Sequence, residues 1–168
     1  MAGRGQAAQL EIHVNKRPQL TFAIEDPGTP DILPLTQQLD GYLAELYPTA
    51  NIQPVALEEL RQPNVTFVTA RVDGTPVACG ACVDEGEYLE VKRMYVLPAC
   101  RGLGLGKQLL EALEQYVRNG GGRVIRLETG TAQAEAIELY ERSGYRRCPP
   151  FGSHRSNPQS VCMEKVLA

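Results

Sequence analysis

The chain has 168 residues, with 17 basic and 20 acidic side chains and a net charge of −3. At that length one domain with a substantial buried core is expected. Hydrophobic residues make up 43% and charged residues 22%, which excludes wholesale disorder. The acidic balance (pI ≈ 5.5) argues against a protein whose main work is gripping nucleic acid phosphates. No run approaches the ~18 consecutive apolar residues that would span a bilayer. The first nineteen residues, MAGRGQAAQLEIHVNKRPQ, lack the apolar segment of a secretory signal. Residues 1–17 are expected to form a flexible tail, and residues 18–168 a single domain with no membrane association. Five cysteines in a chain this long require no disulfide framework, so reduced thiols and a cytoplasmic location are expected.

The apolar run Leu20–Ile24 ends at the turn cluster Asp26-Pro27-Gly28 and predicts a first strand. Leu35, Leu39, Tyr42, Leu43 and Leu46 recur at spacings of three and four, predicting a helix between Pro30-Asp31 and Pro48. A second, short helix is predicted over 55–61. Alternating β-branched residues over 65–72, the turn Asp73-Gly74-Thr75-Pro76 and a run over 77–83 read as a hairpin. A long strand follows over 88–97, ended by Pro98. Leu109, Leu110, Leu113 and Val117 mark one face of a helix over 103–119, which Gly120-Gly121-Gly122 terminates. A strand over 123–128, a helix over 132–143 and two strands over 145–148 and 161–166 complete the order. The fold class is α/β (α+β), built on a mixed, mostly antiparallel central sheet flanked by about four helices. Cys79 and Cys82 invite a metal or redox reading. Three positions apart in a strand, they point to opposite faces, and no second Cys/His pair completes a site. Buried thiols and no metal are expected.

The stretch Arg101-Gly102-Leu103-Gly104-Leu105-Gly106-Lys107 carries the most chemistry. It follows a strand and opens a helix, where unpaired N–H groups and the positive end of the helix dipole meet an anion. Glycines there let a phosphate reach the backbone without a Cβ in the way. The spacing is neither the G-x-G-x-x-G dinucleotide fingerprint nor a Walker loop. It fits R/Q-x-x-G-x-G/A through Arg101, Gly104 and Gly106, and Arg101 and Lys107 are placed to add charge at the rim.

VKRMYVLPACRGLGLGKQLL resembles the acetyl-CoA-binding core of the GNAT superfamily of N-acetyltransferases. LETGTAQAEAIELYERSGY resembles that family's later strand and helix, ending in Tyr-x-x-x-Gly-Tyr/Phe. The resemblance implies an acyltransferase that moves acetyl from acetyl-CoA to a primary amine by direct attack in a ternary complex. It implies that the backbone of Met94, Tyr95 and Val96 pairs with the pantetheine arm, and that Arg101, Gly102, Leu103, Gly104, Leu105, Gly106 and Lys107 hold the pyrophosphate. Gln133 stands where relatives often carry an Asn that bonds the cofactor. Tyr140 matches the tyrosine that protonates the leaving thiolate; its other reading is a buried aromatic closing its helix. Glu90 is the candidate general base, or else a carboxylate paired with Lys92 or Arg93 or one that seats the substrate's cation. Strand alternation puts Glu90, Lys92, Met94 and Val96 on one face. The late loop with Phe151, His154 and Arg155, and the first helix region with Tyr42, Glu45 and Tyr47, are candidate walls of the acceptor site. Taken singly, each of these reads as a packing or solvated residue, and His154 as a loop residue without motif context. The expected acceptor is a small-molecule amine. The alternatives are an N-terminal or lysine acetyltransferase of proteins and a non-catalytic CoA-binding sensor module, and a homodimer is compatible with either.

Overall fold

The computed structural model describes residues 17–50 and 54–168, so all but Arg17 of the expected tail lies outside the described residues. The strands are β1 Leu20–Ile24, β2 Val65–Val72, β3 Thr75–Asp84, β4 Leu89–Val96, β5 Val124–Gly130, β6 Arg146–Arg147 and β7 Ser160–Val166. They form one seven-stranded sheet in the order β1-β2-β3-β4-β5-β7-β6. Neighbours run antiparallel except β4 and β5, which are parallel. The helices are α1 Leu33–Leu46, α2 Leu57–Leu60, α3 Leu105–Asn119 and α4 Ala134–Arg142.

The predicted second helix shrinks to the single turn of α2, because Pro54 and Pro63 bracket a segment too short to propagate a helix by itself. The last hairpin's first strand shrinks to the two residues of β6. The turn between β2 and β3 is the tight one expected: Asp73 (φ 48°) and Gly74 (φ 84°) are both left-handed, the conformation that matches the twist of a two-residue hairpin.

The core lies on both faces of the sheet. On one face Leu109, Leu110 and Leu113 of α3 are fully buried against Ala78, Cys82, Val91, Ile125, Leu127 and Met163. On the other, Ile32 and the α1 residues Leu35 and Leu39 cover Phe67, Cys79, Ala81 and Tyr95. Cys79 and Cys82 thus occupy opposite faces, as their spacing requires, and both are free thiols.

The register between β3 and β4 shifts. Cys79 faces Tyr95 and Ala81 faces Lys92, so Gly80 alone opposes both Arg93 and Met94. Arg93 adopts φ 58° to accommodate the extra residue, which makes this a β-bulge. The bulge corrects the expected alternation. Glu90 and Lys92 face the α1 side, whereas Met94 and Val96 pack with the α3 core. Gly80 is needed because a Cβ there would meet the Met94 sulfur at 2.7 Å and Leu113 at 3.0 Å.

Arg93 anchors the bulge to α1. Its Nη2 donates to Asp40 Oδ1 at 2.8 Å and to the Thr36 carbonyl at 3.0 Å, and its side chain is only 7% exposed. Removing the carboxylate leaves a buried guanidinium without its counterion. Asp40→Ala is therefore expected to destabilise the protein by about 3 kcal/mol, read as a lower urea midpoint with an unchanged m-value.

Candidate active site

Below the bulge, β4 pairs with β5 only at Leu89–Ile125, Glu90–Arg126 and Val91–Leu127. Beyond Val91 the two parallel strands part, and a wedge opens between them. Leu97 N–H donates to the Val77 carbonyl at 2.9 Å. Antiparallel alternation then turns the Tyr95 and Leu97 peptides toward β3 and the Val96 peptide toward the wedge. The Val96 carbonyl accepts from Arg101 Nε at 3.0 Å.

The glycine loop closes the upper end of the wedge. Gly102 (φ 79°) and Gly104 (φ 77°) are left-handed, which side-chain-bearing residues adopt only under strain. Gly104 caps α3, and the first intrahelical bond runs from Gln108 N–H to the Gly104 carbonyl. The N–H groups of Leu105, Gly106 and Lys107 precede that bond and so face outward from the helix end. Gly106 serves a different purpose: a Cβ there would meet Leu139 of α4 at 3.3 Å, so it sets how closely the two helices approach. Leu103 is exposed at the tip. Lys107 stands exposed at the rim, 3.9 Å from Glu111. Arg101 lies back over the rings of Tyr42 and Tyr95, 5.6 and 5.4 Å from their centroids, instead of projecting freely from the rim.

A cavity of about 340 Å³ occupies the lower wedge. Glu90 to Met94 of β4 and Glu128 to Gly130 of β5 form its sides, Tyr140 of α4 and Gln133 its floor, and Leu39, Leu43 and Tyr47 its apolar wall. His154, from the loop between β6 and β7, completes it. Tyr140 is 7% exposed and packs edge-on against Tyr145, with centroids 5.9 Å apart. Burial, with the nearby Glu128 charge adding to it, pushes the Tyr140 phenol up to about 12. The Thr129 hydroxyl is buried and has no hydrogen-bond partner among the described residues, an arrangement that suits a polar ligand in the wedge.

Glu90 and Glu128 flank the His154 ring. Glu90 Oε1 lies 2.7 Å from His154 Nε2, and Glu90 Oε2 lies 3.8 Å from Lys92 Nζ. Glu128 Oε1 accepts from the Ser160 hydroxyl at 2.9 Å, and its Oε2 is 3.9 Å from His154 Nδ1. The hydrogen bond to Glu90 raises the imidazole above its ordinary value, and the charges of both carboxylates add to that. Burial raises the Glu128 carboxyl, opposed by the Ser160 hydrogen bond.

Glu90, Met94, Gln133 and Tyr140 all border this one cavity. The expected cofactor contact of Gln133 meets a competing role: its Oε1 accepts from Gly130 N–H at 3.0 Å and from the Tyr47 hydroxyl at 3.3 Å. The Tyr95 side chain turns to α1, where its hydroxyl donates to Gln38 Oε1 at 3.4 Å. His154, a candidate wall residue without motif context, lines the cavity, and its contact with Glu90 carries no signal in the sequence. Glu128 has a legible signal in period two, because Ile125 and Leu127 of β5 enter the α3 core and leave Arg126 and Glu128 to the opposite face.

A sheet split between two parallel strands, with a helix N-terminus above the split and a buried phenol below it, defines an acyl-CoA-dependent acyltransferase. Residues 33–145 match the acetyltransferase (GNAT) family, and the chain belongs to that family. It is 42% identical over 152 residues to an IAA acetyltransferase of Azospirillum brasilense, covering 89% of this chain and 99% of that protein. Among solved structures, an acyl-CoA N-acyltransferase assignment from Klebsiella pneumoniae superimposes with a TM-score of 0.75 at 34% identity, over 89% of this chain and 98% of that one. The PaiA N-acetyltransferase of Thermoplasma acidophilum, solved with coenzyme A, shares the fold with a TM-score of 0.68 at 16% identity, over 89% and 99%. The protein is an acyltransferase. Among the described residues no helix is long and apolar enough to cross a membrane.

Gly130 is where the apolar wall meets the sheet. A Cβ there would overlap the Tyr47 hydroxyl and lie 3.0 Å from Gln133 Oε1. Gly130→Ala is expected to expel the Tyr47 ring, weaken its bond with Gln133 and lower stability by about 1–3 kcal/mol. Urea unfolding measures the loss, and the near-ultraviolet tyrosine signal reports the displaced ring.

Proposed function

We propose that the protein transfers the acetyl group of acetyl-CoA to the primary amine of a small molecule, by direct attack within a ternary complex. The observation that carries this reading is the coincidence, at one wedge, of a strand edge that no neighbouring strand pairs, a buried phenol and two carboxylates. Acetyl-CoA supplies an acyl carbon activated by its thioester. The backbone of Met94 to Val96 forms the edge along which the pantetheine arm lies, like a strand added to a sheet. The amides from Gly102 to Lys107 receive the pyrophosphate. The Val96 N–H, turned into the wedge, donates to the carbonyl oxygen as it gains charge.

Tyr140 donates its proton to the departing sulfur. A phenol raised to about 12 is a weak acid toward a thiolate in water, whose thiol lies near ~8.5. Position offsets that weakness, because the phenol is held in the wedge where the sulfur departs. The carboxylates Glu90 and Glu128 attract the cationic acceptor. The cavity is at the small end of ligand sites, ~300–1,000 Å³, which favours a small amine over a folded protein segment. The IAA acetyltransferase name of the Azospirillum relative also points to a small-molecule acceptor.

Tyr140→Phe is expected to lower kcat by about 10²-fold while acetyl-CoA affinity stays unchanged. Free thiol release from acetyl-CoA, screened against polyamines, amino acids, aminoglycosides and short peptides, measures the rate and identifies the acceptor class. Calorimetry measures affinity. Equal rates in the variant and its parent would remove Tyr140 from the chemistry. Gly104→Ala strains the α3 cap and puts a methyl group into the cradle. It is expected to weaken acetyl-CoA binding at least about tenfold, given ~1–2 kcal/mol for a left-handed non-glycine residue, and to leave the rate at saturating acetyl-CoA near that of the parent.

A further inference from the structure

We infer that His154, rather than Glu90, takes the proton from the acceptor's ammonium, with Glu90 as its positioning carboxylate and Glu128 as the group that seats the ammonium. This rests on the acetyl-transfer reading and assigns the acceptor half of its site. The two carboxylates are unequal. Both Glu90 oxygens are engaged, one by His154 at 2.7 Å and the other beside Lys92 at 3.8 Å. The Glu90 side chain is only 6% exposed, against 26% for Glu128. Both carboxylates border the cavity, but Glu90 is the less accessible of the two and is occupied by the imidazole, which leaves Glu128 the more open to a substrate cation.

The hydrogen bond also decides which imidazole nitrogen can act. An ionised carboxylate accepts only, so the 2.7 Å contact places a proton on Nε2. The lone pair of the neutral ring then sits on Nδ1. That nitrogen is 3.9 Å from Glu128 Oε2, too far for a direct hydrogen bond and within reach of an ammonium or a water held between them. A carboxylate fixing the tautomer of a histidine base is an arrangement known from hydrolases. Here the imidazole comes from the loop after β6, where Phe151 packs edge-on against it at 5.2 Å and holds the ring upright.

The protons balance. The ammonium gives one proton to Nδ1, which returns it to solvent. The freed lone pair forms the C–N bond and the C–S bond breaks. The nitrogen's second proton replaces the one that Tyr140 gives to sulfur. The charged and titratable groups around the ring are Glu90 and Lys92 of β4, Glu128 of β5, Tyr47 after α1 and Tyr140 of α4. The carboxylates outweigh Lys92 and hold the imidazolium more tightly than water does. The active form is the neutral ring, so the rate is expected to climb with pH through a value above the ordinary 6.5.

The test uses the full chain in two arms. In the first, imidazole resonances are followed by NMR against pH, with His154→Gln identifying the His154 signal. The expected inflection lies above 6.5 and falls in Glu90→Gln. A value at or below 6.5, or one unmoved by Glu90→Gln, overturns the assignment whether or not turnover is seen. In the second, thiol release from acetyl-CoA with n-propylamine as probe acceptor is measured against pH. His154→Gln is expected to lose about 10²-fold in kcat and the acidic limb with it. Glu90→Gln should keep that limb and move it to lower pH. Loss of the limb in Glu90→Gln and its persistence in His154→Gln would return the base to Glu90. Calorimetry of the parent with acetyl-CoA separates the two failures: no binding sinks the acetyl-transfer reading, whereas binding with a silent His154 sinks only this one.

Discussion

The site exists because β4 cannot stay beside β5. A parallel pair held over three residues, ending at Val91 and Leu127, gives way where β4 takes up one residue more than β3 can match. The bulge at Arg93 and Met94 opposite Gly80 bends β4, and a bent strand cannot keep an even ladder with a straight neighbour. Backbone groups left without a partner in a protein interior are costly. In the proposed reading, a ligand with amides of its own relieves that cost.

The bulge is held open by α1. Arg93, the left-handed residue that makes the irregularity, reaches Asp40 and the Thr36 carbonyl, so the helix that walls the cavity also stabilises the bulged strand. Strain at a non-glycine residue persists only where its surroundings over-determine it. The anchored guanidinium supplies that determination, and the two halves of the site are mechanically one.

Below the wedge, a low-dielectric pocket gathers charges that water would otherwise screen. Glu90, Glu128, Lys92 and His154 come from three separate elements, and the two carboxylates raise the imidazole above its ordinary value. Burial raises the Glu128 carboxyl, and the Ser160 hydrogen bond, the imidazole and the ammonium of Lys92 offset part of that. Glu128 has partners on one side and the open cavity on the other. Burial lifts the Tyr140 phenol as it lifts the thiols of the core.

Much of this was legible in one dimension. Apolar spacing located α1, α3 and α4 to within two or three residues. Asp73-Gly74 announced its hairpin, and the glycine loop with Tyr140-x-x-x-Gly144-Tyr145 pointed to the family. These are local features, set by φ preferences and by a period of 3.6 or 2 that neighbouring residues suffice to express. The face of β4 beyond Lys92 was misread, because a bulge is a mismatch between two strands and neither strand carries it alone. The setting of His154 beside Glu90 and Glu128 was not legible for a related reason: the imidazole lies 64 residues from Glu90 in sequence and has no motif around it. The chain order by itself determined that a strand, a glycine-capped helix and a tyrosine-bearing helix would be made. Only the folded sheet decided that β4 and β5 would part, and that a late loop would set a histidine between two carboxylates, since register and long-range electrostatics arise only when distant segments meet.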